Sequence, residues 1–163
     1  MTQSVQSSNR KRVARGELAQ LNISPGGMPK LPIESARVTV DGVPGDWQTN
    51  RKHHGGPDRA ICLFSHELYD WLRDDFAIDL KFGSVGENFT TRGIDLLALR
   101  PGDRLRIGES CTIEITDIRI PCGNLKRWDQ RLLHVIQGKS GWVAKVVVEG
   151  DVKTGDAVEV IRQ

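Results

Sequence analysis

The stretch RLRIGESCTIEITDIRIPCG, residues 104–123, decides how the chain is read. Leu105 and Ile107 alternate with Arg104 and Arg106, and Cys111, Ile113 and Ile115 alternate with Thr112, Glu114 and Thr116. A period of two is that of a strand with one buried face. The apolar positions are odd-numbered through Ile115 and even-numbered at Ile118 and Ile120. A one-residue change of phase reverses which side chains face inward, so a bulge is predicted near Thr116-Asp117. The new phase carries Cys122 toward the side of Ile118 and Ile120. Pro121 and Gly123 flank it, so the strand is expected to end there, at a rim.

Working outward, the same rhythm recurs. Val38 and Val40 alternate with Arg37 and Thr39 before Asp41-Gly42, and Ala60 to Phe64 is a short continuous apolar run suited to a buried strand. Trp142 to Val148 and Val158 to Ile161 are Val-rich in the same way. Two segments have helical spacing. Ser65 can cap a helix carrying Leu68, Trp71, Leu72 and Phe76, and Asn124 can cap a second with Leu125, Trp128, Leu132 and Val135 on one stripe. Many short strands without a βαβ rhythm predict a mainly β protein, a closed β-barrel with a few short helices, because closure removes exposed sheet edges. The segments around Val38, Ile61, Leu105, Ile113, Val146 and Val160 are expected in one barrel-like sheet system.

The chain has 163 residues, which fits one domain, and 23 Lys plus Arg against 21 Asp plus Glu give a net charge of +2. This balance argues against a nucleic-acid or membrane-surface protein. No run approaches the roughly 18 apolar residues of a membrane span. Met1 to Arg15 is Ser/Gln-rich and then basic, without an apolar segment behind it, so residues 1–15 read as a flexible tail rather than a secretory signal, and residues 16–163 as the domain. Three cysteines without a CxxC pair argue against a disulfide framework and for the cytoplasm.

Cys122 is the candidate nucleophile, placed just before a predicted helix start whose free amides favour a thiolate. A small apolar residue closing a strand is the competing reading. Cys62 and Cys111 lie inside apolar strand patterns and read as inert core. In His53-His54-Gly55-Gly56-Pro57-Asp58-Arg59 the paired glycines let amides converge on an anion, and His54, Asp58 and Arg59 add acid/base or charge capacity. A plain turn uses the same residues. Gly83-Ser84-Val85-Gly86-Glu87-Asn88 is a second such loop, and no ligand spacing supports a zinc site from His53, His54 and Cys122.

The ordered set Ser24-Pro25-Gly26-Gly27-Met28-Pro29-Lys30, Gly45-Asp46, His54-Gly55-Gly56-Pro57-Asp58, Gly86-Glu87-Asn88, Gly102-Asp103 and Pro121-Cys122 resembles the MOSC domain, named for the C-terminal part of molybdenum cofactor sulfurase. The likeness runs from about Gly16 to Ile161, and stand-alone bacterial members of the YiiM type are most similar. The resemblance implies a compact barrel that binds the molybdenum cofactor (molybdopterin), with Cys122 as molybdenum ligand or as persulfide sulfur carrier. It implies reduction of N-hydroxylated substrates with electron-donor or cofactor-biosynthesis proteins as partners, His54 or Asp58 handling protons. Lys30, Gly55, Gly56, Arg59, Gly86, Glu87 and Asn88 are then expected around the cofactor. No PLP is expected, since the desulfurase activity of the larger sulfurases belongs to a separate domain. YiiM-type proteins continue with a small helical region, whereas this sequence stops at Gln163.

Overall fold

The alternating segments build a sheet that returns to its own first strand. The computed structural model describes residues 14–46 and 56–161. Its strands are β1 (Arg15–Ile23), β2 (Leu31–Ile33), β3 (Ser35–Val38), β4 (Ile61–Ser65), β5 (Phe89–Arg92), β6 (Arg104–Ile107), β7 (Cys111–Ile118), β8 (Trp142–Val148), β9 (Gly150–Lys153) and β10 (Ala157–Ile161). Seven of them close a barrel in the order β1-β10-β6-β7-β8-β4-β5, with β5 again beside β1. The β4–β5 pair is parallel and the other barrel pairs are antiparallel. β2 adds to the free part of β1, from Leu21 to Ile23.

One expectation is corrected. The Val38 strand is not in the barrel: β3 pairs with β9 in a separate two-stranded ribbon, Ala36 opposite Val152 and Val38 opposite Gly150. Val38 and Val152 still reach the barrel's apolar cluster, which is why the sequence pattern of β3 looks like that of a barrel strand. Inside, Leu18, Leu21, Ile61, Leu63, Phe89, Leu105, Ile113, Ile115 and Ala144 are fully or almost fully removed from water. A second cluster, with Phe64, Tyr69, Leu72, Val85, Leu125 and Leu132, packs on the outside of β4. β4 feeds both because its alternate residues face opposite ways.

The helix after β4 is α1 (His66–Phe76), and its cap is the one expected: Ser65 Oγ accepts the Leu68 amide at 3.1 Å. The second expected helix is corrected. Cys122, not Asn124, is the N-cap of a short 3₁₀ turn, Gly123–Arg127, and a single helical turn, α2 (Leu132–Val135), follows separately. The break falls at Asp129, whose Oδ1 accepts the Arg131 amide at 2.8 Å and so offers the backbone a local alternative to a continuous helix. Leu125 and Leu132 remain buried on one cluster, which explains the helical spacing.

The bulge is where the change of phase puts it. Ile115 pairs with Ala144 and Asp117 with Val143, so Thr116 is the extra residue. The even-numbered apolar residues, however, do not turn inward: Ile118 is 37% and Ile120 is 72% exposed. β7 ends at Ile118, before the new phase has a wall to face. Cys62 is also corrected. Ile61 and Leu63 point into the barrel, and Cys62 between them faces out and is only half-buried, whereas Cys111 is core as expected.

Gly141 immediately precedes β8, with φ +89, and a Cβ there would collide with the carbonyl oxygen of Leu63 on β4. Gly141→Ala should therefore cost more than about 3 kcal/mol in urea unfolding, above the cost of backbone strain alone. A loss below about 1 kcal/mol would mean that the β4–β8 junction is looser than described.

Candidate functional site

The bulge and the end of β7 decide where Cys122 goes. Beyond Ile118, the Arg119 amide donates to Gly141 O at 3.0 Å and Ser140 Oγ donates to Arg119 O, which ties the departing chain to the start of β8. Cys122 follows in an extended conformation, half-buried, and its carbonyl accepts the Leu125 amide at 3.0 Å. Leu125, 1% exposed, pins the turn to the outer cluster. The thiol is thus carried on an anchored turn at the barrel rim rather than at a long helix's N-terminus.

Three loops that are distant in sequence meet here. Arg119 donates to Val85 O and Trp128 Nε1 to Ser84 O at 2.9 Å, joining residues 119–128 to the Gly83–Asn88 loop. Arg127 donates to Met28 O at 2.6 Å, and the Lys30 amide to Gly83 O at 3.0 Å, joining the 24–30 loop to both. At Gly86, φ +88, an added Cβ would lie 3.0 Å from Arg119 Nη2 and 3.1 Å from Met28 Sδ. Only glycine lets these segments approach so closely.

The polar residues expected around a cofactor divide into two groups. Glu87 and Asn88 are completely buried and spent on bracing. Glu87 accepts from the Tyr69 hydroxyl at 2.8 Å, from Thr90 Oγ1 at 2.8 Å and from the Gly83 amide at 3.1 Å. Asn88 accepts the Cys62 amide at 3.0 Å and donates to Asp46 Oδ2 at 2.9 Å. Lys30 is buried too and points at Asp46, Nζ to Oδ2 2.6 Å, while Asp46 Oδ1 takes the Ser24 amide at 2.9 Å. Removing Asp46 would strand the buried ammonium at a cost of about 3–5 kcal/mol. These residues hold the 24–30 and 83–88 loops in place.

Asp58 and Arg59 lie elsewhere, before the start of β4. Their 3₁₀ turn, Pro57–Arg59, is joined to the bulge: Thr116 Oγ1 donates to Asp58 O, and Arg59 pairs with Asp117 at 3.6 Å. Together with Pro101, Gly102 and Glu114 they line an open cavity of about 440 Å³, of which Cys122 is not a lining residue. Gly56 precedes this turn with open space above its Cα. His53, His54 and Gly55 lie outside the described residues.

Three cations were missed in the sequence. From Ile118 to Trp128 there is no acidic residue, while Arg119, Lys126 and Arg127 all fall on the segment that carries Cys122. An acid-free run of that length beside a rim cysteine was the available signal. Ile118, Ile120 and Trp128 give the same segment an apolar surface. The arrangement suits an anionic ligand with a soft centre: positive charge and amides around one accessible thiol. Among the described residues no group of three or more His, Cys, Asp or Glu is placed to hold a metal.

A seven-stranded closed barrel with glycine loops gathered at one rim defines a recognisable class. A family model of the MOSC domain matches residues 50–159, and the chain belongs to that family. It is 30% identical over 145 residues to protein YiiM of Escherichia coli (strain K12), covering 84% of this chain and 64% of that protein. It is also 30% identical over 140 residues to the uncharacterized protein YflK of Bacillus subtilis (strain 168), covering 83% and 63%. The chain thus spans a little under two thirds of the length of these relatives. A fungal protein named reductase, from Gibberella moniliformis, is 29% identical over 132 residues, 77% of this chain and 23% of its own length. Among solved structures, YuaD of Bacillus subtilis superposes with a TM-score of 0.78 at 19% identity, covering 91% of this chain and 97% of the other, which shows the shared fold.

Two outcomes follow from the electrostatics. Burial pushes the Glu87 carboxyl above its ordinary 4.5, against the opposing bonds from Gly83, Tyr69 and Thr90. The native state therefore holds that proton more tightly than the unfolded chain, and stability falls as pH rises from 4.5 through the raised native value. Urea unfolding between those limits should show the wild type losing stability relative to Glu87→Gln; parallel curves would mean an unshifted carboxyl. Burial also pushes the Cys111 thiol up to about 11. At pH 8 iodoacetamide should label Cys122 and leave Cys111 unmodified until the barrel unfolds, as read by peptide mass mapping.

Proposed function

We propose that the rim around Cys122 binds the molybdenum cofactor and that the protein is a reductase of N-hydroxylated substrates. The observation that carries this reading is the half-buried Cys122 on an anchored turn within an acid-free, three-cation segment, at the junction of two glycine loops. The residues fit such a group. Cys122 Sγ is a soft ligand for the metal, and Arg119, Lys126 and Arg127 supply positive charge for an anionic pterin. Gly86 lets the buried 83–88 loop pack beneath Arg119 and Met28, while Gly26 and Gly27 of the neighbouring 24–30 loop have open space around them. Lys30, Glu87 and Asn88 act from beneath, by fixing those loops.

When bound, the cofactor supplies two-electron redox chemistry at the metal. Converting an N-hydroxylated base to the parent amine consumes two electrons and two protons and releases water. Asp58, exposed on its turn, and His54, outside the described residues, are assigned the protons; the electrons come from a separate donor protein. The reductase name of the fungal relative supports this class of reaction. We place the protein in the cytoplasm, where three unpaired cysteines persist; among the described residues no helix is long and apolar enough to cross a membrane.

A second reading rests on the same half-exposed thiol: Cys122 carries sulfur as a persulfide and the protein has no turnover of its own. Metal, pterin and cyanide-labile sulfur analysis, on protein made in a cofactor-competent host, separates the two. Stoichiometric molybdenum and pterin support the reductase, and labile sulfur without metal supports the carrier. Cys122→Ser should abolish loading in either case while changing stability by less than about 1 kcal/mol, because the thiol contributes little to the core. Normal loading of the Ser variant would remove Cys122 from the function.

A further inference from the structure

We propose that a second cavity, at the barrel mouth beside α1, binds a planar aromatic ligand carrying a protonated nitrogen. It encloses about 530 Å³ between the start of α1, the loop after β5 and Lys139, enough for a one- or two-ring ligand. Leu68, Ile94 and Leu96 form an apolar floor, and Trp71 stands as a half-buried wall. Two independent observations specify the occupant.

First, the face of Trp71 already receives a cation: Lys139 Nζ lies 4.6 Å from the ring centroid and makes no ion pair among the described residues. An aromatic cation can take that place, with the lysine swinging into water. Second, the mouth is negatively charged on balance, with Glu67 and Asp95 against Lys139. Each carboxylate uses one oxygen on the backbone, Glu67 Oε1 on the Gly93 amide at 2.6 Å and Asp95 Oδ1 on the Leu97 amide at 3.1 Å. The other oxygen of each accepts no hydrogen bond among the described residues, which favours a donor-bearing cation and opposes an anion.

The ligand is placed with its ring on Trp71 and its nitrogen at Glu67 and Asp95.

This site uses none of the residues assigned to the cofactor, and its test needs none. Benzamidinium, and benzoate as an anion of the same shape, are titrated into the full chain while the tryptophan indole N–H signals are followed by NMR. The Trp71 signal is assigned by its absence in Trp71→Leu. Benzamidinium should shift that signal saturably and benzoate should not. The double variant Glu67→Gln, Asp95→Asn keeps both backbone-accepting oxygens and should weaken binding roughly tenfold, equivalent to about 1.4 kcal/mol. Equal binding of benzoate, undiminished affinity in the double variant, or no saturable binding of benzamidinium at millimolar concentration would overturn the proposal. If Trp71→Leu fails to fold, the benzoate comparison and the double variant still decide.

Discussion

β1 pairs along both of its edges, and the rest of the molecule depends on that. Gly16 lies opposite Val158 of β10 while Leu18 lies opposite Thr91 of β5, so one strand joins the first and last members of the sheet. Closure leaves no long unpaired edge on the barrel and gives each inward side chain neighbours on every side. It also confines variation to the ends. β4 and β7 finish, and β8 begins, at the same end, because Leu63 and Ile118 both pair with Trp142. The thiol turn and the apolar cavity both grow from that end.

Loops that leave a rigid rim still have to be held, and here the hold is polar and buried. Glu87 removes three donors from the list of unsatisfied groups, each of which would cost about 1–3 kcal/mol if left unpaired. Asp46 does the same for Lys30, Asn88 and the Ser24 amide. Burying charge is costly, and the strongly raised Tyr69 hydroxyl, pushed up first by burial and then by Glu87, keeps that hydroxyl a donor. The 83–88 loop is buried throughout and braces the turn above it, which leaves the half-buried Cys122 and the exposed part of the 24–30 loop at the surface.

The two ends of this division have opposite electrostatics. Around Cys122 the segment from Ile118 to Trp128 is positive and partly apolar, suited to an anion. Beside α1, Glu67 and Asp95 outweigh Lys139, suited to a cation. A net charge of +2 conceals both, because net charge averages over a surface whose local sign changes within one barrel end.

The sequence by itself determined β4, β6, β7, β8 and β10, the Ser65 cap and the bulge, since each rests on neighbours: a period of two, a hydroxyl three residues before an amide, a one-residue change of phase; β1, β2, β5 and β9 were not legible in it. It also carried the family, through six short motifs in order. Tertiary structure decided what those neighbours could not. Whether β3 joins the barrel depends on β9, far along the chain, and Cys62 is half-exposed because nothing fully covers the outer face of β4. Glu87, Asn88 and Lys30 look like ligand-binding residues in a glycine-rich context, yet Tyr69, Cys62 and Asp46 consume their hydrogen bonds. A polar side chain's role is set by which partners reach it first, and those partners arrive only when the barrel closes.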